Sequence, residues 1–223
     1  MKTFITRDQA RIGRLLTGLL TAVAVLVLAA PVWAQATVEG TWTTRARDND
    51  SGRRRIQISM ELGDDTGNWG WSVDPGDLQG LSFAQFDGDV ADARFELVRE
   101  AGTIAFEGTI RGGRGVGTFT FTPNAQWVRD IEALGFDMSE RRVFQSAVHD
   151  IRVQYVRDVQ ALGYDELDER DLFSFAIHGV TAEFIRGMNG LGYADISARE
   201  LVSMRIHGVT PEWVRQVQAA MGG

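Results

Sequence analysis

The chain has 223 residues, with 23 Lys and Arg against 30 Asp and Glu, three histidines and no cysteine. The missing thiols exclude disulfides, lipid attachment through cysteine and thiolate metal sites. Lys2 is the only lysine, so Schiff-base chemistry has no amine further along the chain.

Residues 1–36 read as an export signal. Lys2, Arg7, Arg11 and Arg14 form a positive start, Leu15 to Ala30 carries no charge, and Val-Trp-Ala (32–34) or Ala-Gln-Ala (34–36) offers a cleavage site. Sixteen uncharged residues fall short of the ~20 that span a bilayer, so cleavage is expected and stable membrane insertion afterwards is not. The remainder holds 19 basic and 29 acidic residues, a net charge of −10. That balance argues against nucleic acid and against anionic membrane surfaces as partners. The expected location is the bacterial periplasm or the medium.

Residues 37–122 alternate with a period of two. Gly40–Ala46, Arg54–Leu62, Asn68–Val73, Ala93–Glu100, Thr103–Ile110 and Gly115–Phe121 predict about six strands. Short turn signals separate most of them, at 50–52, 64–67, 101–102 and 112–113. Short connections join antiparallel neighbours, which predicts a β-meander or a small barrel. Residues 74–92 are irregular and predict a loop or an edge covering.

After Pro123 the period becomes helical and the chain repeats itself. An aromatic recurs at Trp127, Tyr155, Phe184 and Trp213, spaced 28, 29 and 29 residues apart. An arginine always stands two places on, at Arg129, Arg157, Arg186 and Arg215. Leu-Gly-aromatic recurs at 134–136, 162–164 and 191–193, and histidine at 149, 178 and 207. Agreement of several columns at one spacing marks an internal repeat, with units of about 123–150, 151–179, 180–208 and 209–223. Each unit spells helix, glycine stop, helix, glycine stop. Thr210-Pro211-Glu212 and Ser197-Ala198-Arg199-Glu200 are helix starts. Seven short helices over 123–223 result. Each is too short to be stable alone, so stacking must supply the core.

Units of the form helix, LGY, S-x-x-(E/D)-L, IHGVTPE resemble tandem repeats of uncharacterised secreted bacterial proteins. Similar repeats occur in extracytoplasmic regions of membrane peptidases of the BlaR1/MecR1 antibiotic-sensor type. FELVREAGTIAFEGTIRGGRGVGTFTFTPN (95–124) is similar to the β-rich part of the same secreted proteins. The resemblance implies an exported repeat protein and no known activity. HExxH and Ser-x-x-Lys are both absent from this chain, so neither sensor activity is implied. The first unit departs from the pattern: Asp150 replaces the glycine, and Asp137–Arg142 is one residue short.

Candidate sites follow from residue type. The four arginines would line a stripe able to grip carboxylates on a partner, or would pair with nearby acids such as Asp130, Asp158, Glu183 and Glu212. The histidines close helices, where a cation suits the dipole. Stacked helices about 10 Å apart keep them from sharing an ion, so no metal and no cofactor is expected. Trp42, Trp69 and Trp71 either fill the core of the β-domain or line a lipocalin-like cavity. Gly112–Gly117 joins two strands and predicts a hairpin rather than a phosphate loop. Asp48–Gly52 lacks the spacing of a calcium loop. Asp48, Asp64, Asp65, Asp74, Asp77 and Asp87 are the candidate acid pairs for hydrolysis, and turn-building is their ordinary use.

The expected molecule is an α+β protein, with an antiparallel β-domain followed by an array of short helix pairs. It is expected to work as a non-enzymatic binding module for a protein of the cell envelope. A small-ligand carrier is the second reading and an acid-pair hydrolase the third.

Overall fold

A computed structural model describes residues 38–48, 54–63 and 67–221. The expected export signal, most of the loop at 48–52 and the pair Asp64 and Asp65 lie outside the described residues.

Seven antiparallel strands form one curled sheet. Strands β1 (Val38–Asp48), β2 (Arg54–Leu62) and β3 (Asn68–Val73) make one meander. Strands β4 (Leu78–Gln79), β5 (Val90–Arg99), β6 (Gly102–Arg111) and β7 (Arg114–Pro123) make another. Pairing of β1 with β7, from Val38 opposite Phe121 to Arg45 opposite Arg114, joins them into the order β3-β2-β1-β7-β6-β5-β4. Edges β3 and β4 stay apart, so the sheet is a half-barrel and not a closed one. Alternation decides its two faces. Ile56, Ile58, Met60 and Leu62 are buried on the concave side, while Glu61 beside them is exposed.

The irregular stretch 74–92 covers part of this trough. Asp74 accepts from Gly76 N and opens a 3-10 turn, and Ser82 with Gln85 forms a capping box that starts α1 (Phe83–Asp87). Helix α1 packs on β1, β5 and β6 and buries Phe86. Arg54 and Asp87 tie it to β2 through two hydrogen bonds of 3.0 and 2.6 Å.

Seven helices follow: α2 (Ala125–Glu132), α3 (Glu140–Val148), α4 (Val153–Ala161), α5 (Glu169–His178), α6 (Ala182–Asn189), α7 (Ala198–Ile206) and α8 (Pro211–Met221). Their starts are mostly made by local caps. Asn124, Ser139, Asp168, Thr181, Ser197 and Thr210 each accept from a backbone N–H in the first turn. The even helices pack in series, α2 on α4, α4 on α6 and α6 on α8, and α5 packs on α7.

Helix α3 fills the rest of the trough. Phe144 is fully buried against Phe119, Phe121 and Trp69, with ring centroids 5.5, 5.4 and 5.5 Å away. One apolar cluster therefore runs from Trp42 in β1 to Phe173 in α5, and a second begins at Val159 and ends at Val214. The change of period at Pro123 is thus not a break in the core. Among the described residues no helix is long and apolar enough to cross a membrane.

Candidate functional site

Trp42 fills the half-barrel. It is 1% exposed and meets Phe95 and Phe106 edge-on at 5.3 and 6.1 Å. Its indole N–H donates to Glu107 O and Thr118 O, at 3.2 and 3.0 Å. Two glycines, Gly115 of the glycine-rich stretch and Gly108 of β6, make room for it: a Cβ on either would fall within 3.0 Å of the Trp42 ring. Gly112 and Gly113 take φ of 55° and 76° between paired Arg111 and Arg114, which is the two-residue hairpin the sequence predicts. Trp69 is half-buried between Phe144 and the Arg141 guanidinium, 5.4 Å from its ring, and Trp71 packs at the edge of the same core. All three tryptophans thus pack with the core.

Three of the candidate acids, Asp74, Asp77 and Asp87, hold the fold. Asp87 pairs with Arg54, whose hydrogen bonds keep its carboxyl below the usual range, and Asp74 caps the 3-10 turn. Asp77 meets Arg99 at 3.1 Å, and Arg99 also reaches Asp150 at 3.6 Å.

Asp150 takes φ 53°, where Gly179 and Gly208 take 70° and 71°. Its carboxylate meets Arg152 at 2.5 Å as well as Arg99. The departure from the glycine pattern thus ties the first helical unit to β5. Glu100 adds a second tie. Helix α4 starts at Arg152 with no side-chain cap of its own, and Glu100 Oε2 accepts from Val153 N at 3.0 Å.

The histidines do not converge. Among the described residues no group of His, Asp or Glu could hold a metal ion. His178 and His207 are exposed at helix ends, whereas His149 is half-buried, with its ring 6.5 Å from that of Phe173. Burial lowers the His149 pKa from its ordinary value of 6.5, so the neutral ring is favoured there. The helix-end cation expected from sequence is not the form this site prefers, because desolvation acts against it.

Arg129, Arg157, Arg186 and Arg215 are all exposed, one on each of the serially packed helices α2, α4, α6 and α8. Acids are interleaved with them. Arg186 lies 3.8 Å from both Asp158 on α4 and Glu183 on its own helix, and Arg215 pairs with Glu212. Arg129 donates to Gln126 at 2.7 Å. Arg157 borders a groove of about 330 Å³ between α2 and α4, which Glu100, Asp130 and Gln154 also line. The result is a mixed-charge ladder along one side of the array.

Behind the ladder the aromatic column locks one helix to the next. Trp127 Nε1 donates to Ile151 O at 3.0 Å, and Tyr155 Oη to Val180 O at 2.8 Å, with its phenol pushed well up by burial. Gln160 donates to Leu134 O and Gln218 to Leu191 O. These clasps were hidden in the sequence, although the spacing of the glutamines from the column was there to see. Comparison of the chain with protein-family models, curated proteins and solved structures gives no match.

Proposed function

We propose that this protein is an exported, non-enzymatic interaction module that presents the side of its helical array to a protein partner in the bacterial cell envelope. The observation that carries the reading is the ladder of Arg129, Arg157, Arg186 and Arg215, four exposed guanidiniums at intervals of one helix pair on a structured support. Exposed ion pairs contribute little to stability, typically ~0–1 kcal/mol each, so stability alone gives no strong reason for the column. Guanidiniums alternating with carboxylates suit a partner whose own charges alternate, since complementary patterning sets register and rate of encounter. Export is supported by the first 36 residues and by the resemblance of the LGY and IHGVTPE units to secreted proteins.

The test is removal of charge. Replacing the four arginines by glutamine should leave the melting temperature nearly unchanged and remove chemically cross-linked envelope partners from the captured set. Loss of folding in that variant, with capture per folded molecule unchanged, would make the column structural.

A further inference from the structure

The outward face of the half-barrel carries a second cluster of arginines that register alone brings together. On β1, β7 and β6, Arg45 stands opposite Arg114 and Arg114 opposite Arg111. Two residues along, Arg47 stands opposite Arg55 of β2. Five guanidiniums thus occupy one end of the convex face. Neighbouring strands lie about 4.8 Å apart and alternate residues on a strand about 6.7 Å apart.

Nothing among the described residues neutralises them. Gln57 and Val90 end the row of three, and neither is an acid. Two acids share this face near them: Glu107 faces Arg94, and Asp92, opposite Thr109, stands diagonally from Arg111 without an ion pair to it. Buried Nε of Arg55 has no hydrogen-bond partner. Like charges placed directly opposite each other destabilise a sheet, and here three such pairs adjoin in a chain whose net charge is −7.

A groove of about 360 Å³ lies across this region, lined by Thr43, Arg45, Gln57, Ser59, Arg114 and Val116. It offers guanidinium forks on one side and hydroxyl and amide donors on the other. A single carboxylate would leave most of these donors unused. A phosphate group presents three acceptor oxygens and up to two charges, and guanidiniums bind it in bidentate fashion.

We propose that this end of the sheet is a binding site for ligands bearing two or more phosphate groups, with Arg45 and Arg114 gripping one group and Arg47, Arg55 and Arg111 receiving the others. The site is separate from the helical ladder and stands on the sheet register alone, whatever becomes of the interaction-module reading. The shared chemistry is clustered phosphate, supplied either by a soluble phosphate chain or by phospholipid headgroups.

The test uses the full mature chain. Inorganic tripolyphosphate is titrated by calorimetry, and vesicles of neutral phosphatidylcholine with and without phosphatidylglycerol are tested by co-sedimentation. Saturable tripolyphosphate binding that weakens with salt is expected. Arg45→Gln with Arg114→Gln should weaken it about tenfold or more, while the four-glutamine variant of the helical ladder binds as the parent does. The double variant should also melt no lower than the parent, because a like-charge pair has been relieved. Arg114→Gln alone serves if the double variant does not fold. Vesicle binding that needs phosphatidylglycerol and the same two arginines assigns headgroups as the source, and tripolyphosphate binding alone assigns a soluble chain. Absence of both, or equal weakening by the ladder variant, would overturn the site.

Discussion

The two ends of the helical array share the same columns of aromatic, arginine and histidine and are used differently. At the inner end α2 buries Trp127, Val128 and Ile131, and α3 buries five residues including Phe144. At the outer end α7 buries Leu201 and α8 buries Val214. Trp127 and Trp213 occupy the same column, yet they are 2% and 53% exposed. A repeated pattern therefore fixes where a side chain points along its helix, and the neighbour decides whether it contributes to stability. The sheet is that neighbour for the inner unit.

The largest expected effect follows from this sharing. A fragment ending at Pro123 keeps every strand but loses α3, so Phe119, Phe121 and Trp69 lose the ring that covers them. We expect it to show no cooperative thermal transition by near-ultraviolet circular dichroism. A sharp transition in the fragment would mean that the sheet is closed without its lid, and the comparison between the ends would lose its basis.

Point substitution gives the same contrast in smaller steps. Trp127→Ala removes a buried ring and its bond to Ile151 O, and should lose ~3–5 kcal/mol in urea denaturation. Trp213→Ala at the exposed end should lose about 1 kcal/mol or less. Equal losses would show that the outer tryptophan is covered in solution.

What could be read beforehand was the local part. Period-two strands, helix starts at Ser197 and Thr210 and the glycine stops were all visible, because each depends on residues within one turn or one pleat. Helix α1 was missed because five residues hold too little periodicity to signal a helix. The β1–β7 pairing was missed because nothing local says which strands become neighbours. Every non-local device was lost with it: the seat of Trp42 over Gly108 and Gly115, the Arg45–Arg114–Arg111 row, and the capping of α4 by Glu100. The arginine ladder was legible from its column. Asp158 was among the acids the residue types offered, and Arg186 meets it across from α4.

Glu100 sharpens the comparison at the junction. It supplies from the sheet the cap that α4 lacks, whereas α8 at the outer end is capped by its own Thr210. Glu100→Ala should cost about 1 kcal/mol, as loss of an N-cap does, and should speed amide exchange in the first turn of α4. If exchange rises no more there than in α8, the bond to Val153 N does not hold the junction.

The smallest effect separates the helix ends by pH. His149 at the inner end is half-buried with a lowered pKa, so the unfolded chain binds its proton more readily than the folded one does. Stability then rises with pH across the titration. The contribution is complete above the ordinary value of 6.5 and is lost as pH falls through the lower folded value. The carboxylates with lowered values, Asp87 and Glu200, act only on further acidification, below ordinary values of 3.8 and 4.5. The window beneath 6.5 therefore reports on histidine. Replacing His149 by glutamine, which cannot take up a proton, should flatten the stability profile in that window, measured by urea denaturation at closely spaced pH. The same substitution at exposed His207 supplies the baseline. If the slope survives unchanged in His149→Gln, the half-buried ring is not the titrating group and the inner end is not the drier of the two.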